Sequence, residues 1–266
     1  MDNFKIIADD LGLHESVNDG IIFLLKESKI NGASLMANGK TFDHAVRKCS
    51  EVQLPNIGIH LVLVEEKPVS KVSEVRSLVD KNGFLHRNHR KFFIRYILKL
   101  INKNEIDMEM RAQVVKCIQA GIKPTFINSH QHLHLLPGVT DMVIKLAKEF
   151  NIPYIRIVNE PISLGRGKLF RQAQLLLLNF LSKLAKNKIR KAGLECNNFF
   201  IGFINAGNLS RRDIGQAQKL SSKHPDKIIE LGSHPGYQNQ NLMEKYGHWG
   251  YHNWQKELEV LKNNRQ

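Results

Sequence analysis

Cysteine is scarce in this chain: three in 266 residues, at Cys49, Cys117 and Cys196, odd in number and far apart. That excludes a disulfide scaffold, and no pair has the spacing of a thiolate metal site. The thiols are expected to be reduced and mostly packed, as in a cytoplasmic protein. Long apolar runs are also missing, since nothing approaches the ~18 consecutive apolar residues of a membrane span. Strand-like sequence begins within three residues of the N-terminus, so no signal peptide is expected. There is no Walker loop, no G-x-G-x-x-G dinucleotide fingerprint and no G-x-S-x-G nucleophile elbow. Gly165-Arg166-Gly167 is followed by Lys168 and reads as a loop.

Acidic residues are few beside basic ones, 25 against 39, which leaves a net charge of +14. Such a balance suits nucleic acid, an anionic membrane surface or acidic substrates. The lysines are spread along the chain, however, and aromatics do not interleave with them as in a stacking platform. No helix-turn-helix, zinc-finger or RNA-binding signature is present, and nucleic-acid binding is not expected. At 42% hydrophobic and 24% charged, the composition is that of a soluble globular protein.

Short β-rich runs at 4–8, 33–36, 57–61, 125–128, 154–158, 199–204 and 227–231 alternate with amphipathic stretches at 17–28, 42–49, 92–101, 108–120, 139–150, 169–191 and 213–222. This alternation predicts βαβ units and a parallel sheet. About seven units in one chain favour a (β/α) barrel over an open doubly wound sheet, with 1–266 as a single domain. Segment 65–82 is polar and aperiodic, and is expected to be a long loop at a pocket mouth. Segment 263–266 reads as a frayed end.

The chemistry-bearing residues follow the strands. Asp9-Asp10 ends the first run, His60 ends the third, Ser129-His130-Gln131-His132-Leu133-His134 follows the fourth, and Ser233-His234-Pro235-Gly236 follows the last. In a (β/α) barrel these positions converge on the C-terminal face, where active sites are built. Adjacent carboxylates raise each other's cost of ionisation, and a divalent cation removes that cost. Asp10, His60 and His130 are the candidate ligands, one carboxylate and two imidazoles. The implied cation is Mg²⁺ or Zn²⁺, with Mn²⁺ and Co²⁺ also suited. For Asp9 to face the same pocket the strand must end or distort there, because adjacent side chains in a regular strand point to opposite faces. Asp9 is then the candidate base, and His234, held extended by Pro235, the candidate acid for a leaving group. If 129–134 is extended, His130, His132 and His134 face one way; if helical, only His130 and His134 do. His132 and His134 are assigned to lining the pocket, orienting its other residues or contacting substrate.

With these residues in view, the chain resembles the YdjC-like family of carbohydrate deacetylases, which includes chitooligosaccharide deacetylase and a hopanoid-associated, HpnK-like branch. The resemblance rests on Ala8-Asp9-Asp10-Leu11-Gly12-Leu13, Ser34-Leu35-Met36-Ala37-Asn38, Gly58-Ile59-His60-Leu61, Pro124-Thr125 through His134, and Ser233-His234-Pro235-Gly236. It implies a distorted (β/α) barrel and metal-dependent removal of an acetyl group from an N-acetylated sugar or oligosaccharide. By the same resemblance Asp10, His60 and His130 match the metal positions and Asp9 the base. Leu11 stands where the family usually has phenylalanine, and Asn128 where many members have aspartate. The stretch from Arg156-Ile157-Val158-Asn159-Glu160 through Phe200 is closer to the HpnK-like branch, and Arg156 is taken as a further substrate contact. The alternative function is therefore deacetylation of a lipid-linked or polyprenyl-type amino sugar; a non-catalytic metal-, sugar- or nucleic-acid-binding protein is the third reading. The basic amphipathic segment 168–191 is read as an outer-layer helix or one packed on a second subunit in a homodimer. Its alternative is peripheral contact with an anionic membrane.

Overall fold

Parallel strands must be covered on both faces, which is why they read as continuous apolar runs. The computed structural model describes residues 3–52, 56–162, 169–250 and 252–264. Its seven strands are β1 (Phe4–Leu11), β2 (Gly32–Leu35), β3 (Ile57–Leu61), β4 (Phe126–Ser129), β5 (Tyr154–Ile155), β6 (Phe199–Ile201) and β7 (Ile229–Ser233). All neighbours pair parallel, in the order β5-β4-β3-β2-β1-β7-β6. The expected distorted seven-stranded (β/α) barrel is thus the observed fold, a curled half-barrel with helices between the strands.

The helices are α1 (Glu15–Lys26), α2 (Phe42–Cys49), α3 (His89–Ile97), α4 (Lys103–Gln119), α5 (Val139–Glu149), α6 (Leu169–Lys191), α7 (Arg211–Lys223), α8 (Gln240–Tyr246) and α9 (Trp254–Lys262). The distortion lies between β5 and β6, which are the two ends of the sheet. Irregular hydrogen bonds tie these ends together instead of a ladder. The Asn197 side chain bonds the amide and carbonyl of Ile157, and the Phe200 amide donates to the Asn159 carbonyl.

Several boundaries differ from expectation for identifiable reasons. The run 154–158 forms only a two-residue strand: the last ladder bond to β4 is from the Arg156 amide to Ile127, and the Ile157 amide turns instead to the Asn197 side chain. The run 199–204 stops at Ile201, where Gly202 takes φ 128° and the amides of Gly202 and Phe203 turn to the Glu160 carboxylate. The first strand runs on to Leu11 through a register shift between Ala8 and Leu11. Helices α8 and α9 were not expected; α9 is anchored by fully buried Trp254, Leu258 and Leu261. The 65–82 segment is irregular apart from one short turn of 3₁₀ helix (Val72–Glu74). The expected helix from 168 is observed from Leu169; Lys168, the Gly165-Arg166-Gly167 loop and the terminal 265–266 lie outside the described residues. All three cysteines are buried, and burial pushes the Cys49 thiol up to about 11 and the Cys117 thiol up to about 12.

Gly58 shows how tightly β3 is held two residues before His60. A Cβ there would lie 2.3–2.5 Å from the Phe126 ring on the adjacent strand. Phe126 is buried against Tyr154 and has little room to retreat. Gly58→Ala is expected to cost about 1–3 kcal/mol through overpacking, read from the denaturant midpoint.

Candidate active site

The conflict between two neighbouring aspartates and strand geometry is resolved at Asp10. Its φ is +65°, a left-handed conformation inside β1, and the strand's register shifts at this point. Aspartate tolerates this region better than most residues. Both carboxylates therefore turn into the space at the C-terminal ends of the strands, and both are buried. Gly12, also left-handed at φ 100°, then carries the chain out.

Asp10 sits between two imidazoles. Its Oδ1 is 3.2 Å from His60 Nε2 and 3.3 Å from His130 Nδ1. Neither contact has hydrogen-bond geometry, and both carboxylate oxygens are buried without a hydrogen-bond donor. Each ring is held from its other side. Asn128 Nδ2 donates to the Asp9 carboxylate at 2.9 Å, which fixes its amide so that Oδ1 accepts from His60 Nδ1 at 2.7 Å. His130 Nε2 faces Glu65 Oε2 at 3.2 Å. With Nδ1 turned to Asn128, His60 presents Nε2 to the Asp10 carboxylate, the atom through which it could share a cation with Asp10 and His130. Burial alone would raise the Asp10 pKa, but the His130 and His60 imidazoles hold it well below the carboxylate range. Burial alone would lower the His130 pKa, but Asp10 and Glu65 hold it well above the usual value.

A second group shares the same carboxylate. Asp10, His234 and His252 also bring ligand atoms within 4.8 Å of one another, as do Asp10, His60 and His130. His252 Nε2 is 4.0 Å from Asp10 Oδ2, so the two groups lie on different oxygens. The trio with His60 and His130 is closer and wholly buried. Its rings are also oriented from behind by Asn128 and Glu65, as metal-ligating histidines usually are.

Asp9 has a different environment. Its Oδ1 accepts from Ser34 Oγ at 2.8 Å and from Asn128, and its Oδ2 accepts from Arg156 Nη1. Arg156 in turn donates through Nε to Glu230, whose other oxygen accepts from Tyr154. Burial would raise the Asp9 pKa, yet the Arg156 guanidinium, assisted by His60 and His234, holds it far below the carboxylate range. The folded state therefore favours the anion. That contribution to stability is present above the unfolded carboxylate pKa and is lost as pH falls towards the folded value.

His130, His132 and His134 follow neither of the two expected patterns. The segment His130–Leu135 is a 3₁₀ turn in which Gln131 and His132 both take φ 55°. The left-handed kink sends the three rings in three directions. His130 meets Asp10, and His132 packs between Phe200 and Phe203 in the pocket wall. His134 turns inward, with Nδ1 on Ser129 Oγ at 2.6 Å and Nε2 on the Arg156 carbonyl at 2.8 Å. Burial pushes its pKa down to about 4. His134 and Arg156, both expected near substrate, are buried and bonded inside the protein, and neither lines the pocket, although Arg156 Nη2 has no hydrogen-bond partner among the described residues. His234 does line it, with its amide on Glu257 and its ring 4.8 Å from that of His252.

Glu65, Glu230 and His252 were not anticipated. Glu65 sits at φ 74° in the irregular segment after β3, and Glu230 lies inside a buried strand. His252 comes from the link between two helices that the apolar pattern does not reveal, so none of the three stands directly at the end of a strand.

A family model described as YdjC-like protein matches residues 4–265. Among curated proteins, a carbohydrate deacetylase of Brevibacillus brevis is 38% identical over 55% of this chain and 56% of its own length. One from Clostridium beijerinckii is 37% identical over 58% of the chain and 60% of its length. This chain thus spans a little over half the length of these two relatives. One from Xenopus laevis is 30% identical over 87% of the chain and 80% of its length. A solved structure from Enterococcus faecalis V583, proposed to be a cellobiose-phosphate cleavage protein, superposes with a TM-score of 0.73 at 20% identity, covering 98% of this chain and 90% of that one.

Proposed function

Because the chain belongs to the YdjC-like protein family, we propose that it is a divalent-cation-dependent hydrolase that removes the acetyl group from an N-acetylated sugar. The observation that carries this reading is the buried Asp10 carboxylate, without a hydrogen-bond donor and faced by two imidazoles that are each oriented from behind. These residues fit a divalent cation, and Asp10, His60 and His130 would hold it. When bound, such a cation polarises an amide carbonyl and lowers the pKa of a water.

The remaining chemistry belongs to side chains. Asp9 accepts hydrogen bonds from Ser34, Asn128 and Arg156. A carboxylate has about four acceptor sites, so one is left for the attacking water. Arg156 keeps Asp9 anionic and fixes its plane. His234, on the pocket wall beside His252, is placed to protonate the departing amine. The pocket itself measures ≈ 40 Å³, room for only a few water-sized groups. It takes the acetamido group while the sugar ring stays at the mouth, between His132, Phe203 and Arg171.

The test is acetate release from a panel of N-acetylated saccharides, after chelation and after addition of Zn²⁺, Mn²⁺, Co²⁺ or Mg²⁺. Release that depends on added cation is expected. Release unaffected by complete chelation, or none from any saccharide, overturns the reading. Glu65→Gln supplies a second check, because it replaces the carboxylate behind His130 with a neutral acceptor. Cation affinity is expected to fall about 10–100-fold, read by competition with a chromophoric chelator.

A further inference from the structure

Beside the catalytic pocket runs an apolar groove of ≈ 370 Å³ between α3 and α6, lined by Phe93, Ile94, Leu136, Phe170, Leu177 and Leu178 among others. It falls within the roughly 300–1,000 Å³ of small-molecule sites. The groove and the pocket are continuous: His132, Gln131, Arg171 and Phe203 line both. Several of its residues remain open to solvent, with Ile94 and Phe170 each 57% exposed and Leu177 47% exposed. A half-open apolar trough leading out of a polar pocket is a cost to a monomer unless something apolar covers it.

The junction is cationic. Arg171 stands over the Phe203 ring at 3.8 Å and bonds the Phe203 carbonyl, which places its guanidinium at the mouth of the pocket. Arg90 stands over the Phe170 ring at 4.8 Å. Both line the groove and the adjoining polar recess with Asn205 and Asn208, and no described residue lining either is acidic. The sequence of environments is therefore a small polar pocket for an acetamido group, a guanidinium pair, and an apolar trough.

We propose that this groove is the subsite for the hydrocarbon chain of an amphiphilic substrate. The substrate is an N-acetylated sugar joined through an anionic, phosphate-type linkage to an alkyl or prenyl chain. The inference rests on the deacetylase reading for the sugar end; the groove, its continuity with the pocket and the two arginines supply the rest. His132 and Phe203 form the saddle between sugar and chain, while Arg90 and Arg171 meet the linkage.

Two measurements on the full chain with added divalent cation test this. Calorimetric titration compares dodecyl phosphate, below its micelle threshold, with methyl phosphate. Acetate release compares dodecyl with methyl N-acetylglucosaminide. Dodecyl phosphate is expected to bind about tenfold or more tightly than methyl phosphate, and kcat/KM for the dodecyl glycoside to exceed that of the methyl glycoside in the same sense. Both ratios should fall towards one in Ile94→Glu/Leu177→Glu, whose thermal midpoint checks folding; the exposed positions tolerate the change. Arg90→Ala, which removes the charge but keeps the aliphatic and aromatic lining, should weaken dodecyl phosphate binding while the alkyl preference between glycosides persists. Equal binding of the two phosphates by wild type, or ratios unmoved by the double substitution, overturns the subsite. Equal acetate release from both glycosides with equal phosphate binding leaves the deacetylase standing and removes the groove. Tight dodecyl phosphate binding without acetate from either glycoside does the reverse.

Discussion

Asp10→Asn is expected to yield a folded protein that binds no stoichiometric divalent cation and releases acetate about 10³-fold or more slowly than wild type. The magnitude follows from the several kcal/mol of charge stabilisation that a bound cation contributes, at 1.36 kcal/mol per decade of rate. Asparagine is the informative substitution because residue 10 takes φ +65°. Asparagine adopts that conformation readily, whereas alanine there would mix strain with loss of the ligand. The amide removes the negative charge that His60 and His130 face at 3.2 and 3.3 Å. Cation content by elemental analysis, with acetate release on the same preparation, checks both parts. Wild-type cation content in this variant would move the site to other residues.

Asp9→Asn is expected to behave differently. Its turnover should fall about 10²–10⁴-fold, the usual contribution of a positioned proton acceptor, while the cation stays bound. Asp9 contacts Ser34, Asn128 and Arg156 and belongs to neither trio of residues that could hold a cation. The substitution leaves Arg156 with Glu230 as its remaining carboxylate partner, so some loss of stability accompanies the loss of rate. Rates are therefore compared well below the thermal midpoint of the variant, at matched cation content. Near-full activity under those conditions would remove Asp9 from proton transfer.

The architecture was legible because parallel strands advertise themselves. The apolar runs at 57–61 and near the two aspartates lie where the strands lie, and their spacing by helical patterns predicts the parallel order. Asp9, Asp10, His60, His130 and His234 converge as strand-end residues should. What could not be read was anything dependent on a local departure from regular backbone. A distortion at the aspartate pair was foreseeable, since both carboxylates reach one pocket no other way, but the left-handed pair Gln131-His132, which sends His130, His132 and His134 apart, carries neither glycine nor proline to mark it. For the same reason the contacts of His134 with Ser129 and the Arg156 carbonyl could not be told apart in advance from a place in the pocket lining. Glu65 and Glu230 act across long sequence separations, 65 residues from His130 and 74 from Arg156, which no local pattern encodes. Helices α8 and α9 lie beyond the last strand and were not expected, yet the link between them delivers His252.

The buried chain Tyr154–Glu230–Arg156–Asp9 joins fold to chemistry. It crosses from β5 to β1 by way of β7, tying the sheet's two halves through one guanidinium. An arginine that is wholly buried is tolerable only with such partners, since removing one leaves an uncompensated charge. The same contact that keeps the half-barrel together therefore sets the ionisation of Asp9.

The division of labour between the adjacent carboxylates is tested most directly by divalent cation content per chain in wild type, Asp9→Asn and Asp10→Asn, each stripped, reloaded with Zn²⁺ and dialysed. One cation in wild type, one in Asp9→Asn and none in Asp10→Asn is the expected result. Equal loss in both variants, or retention in Asp10→Asn, would contradict it.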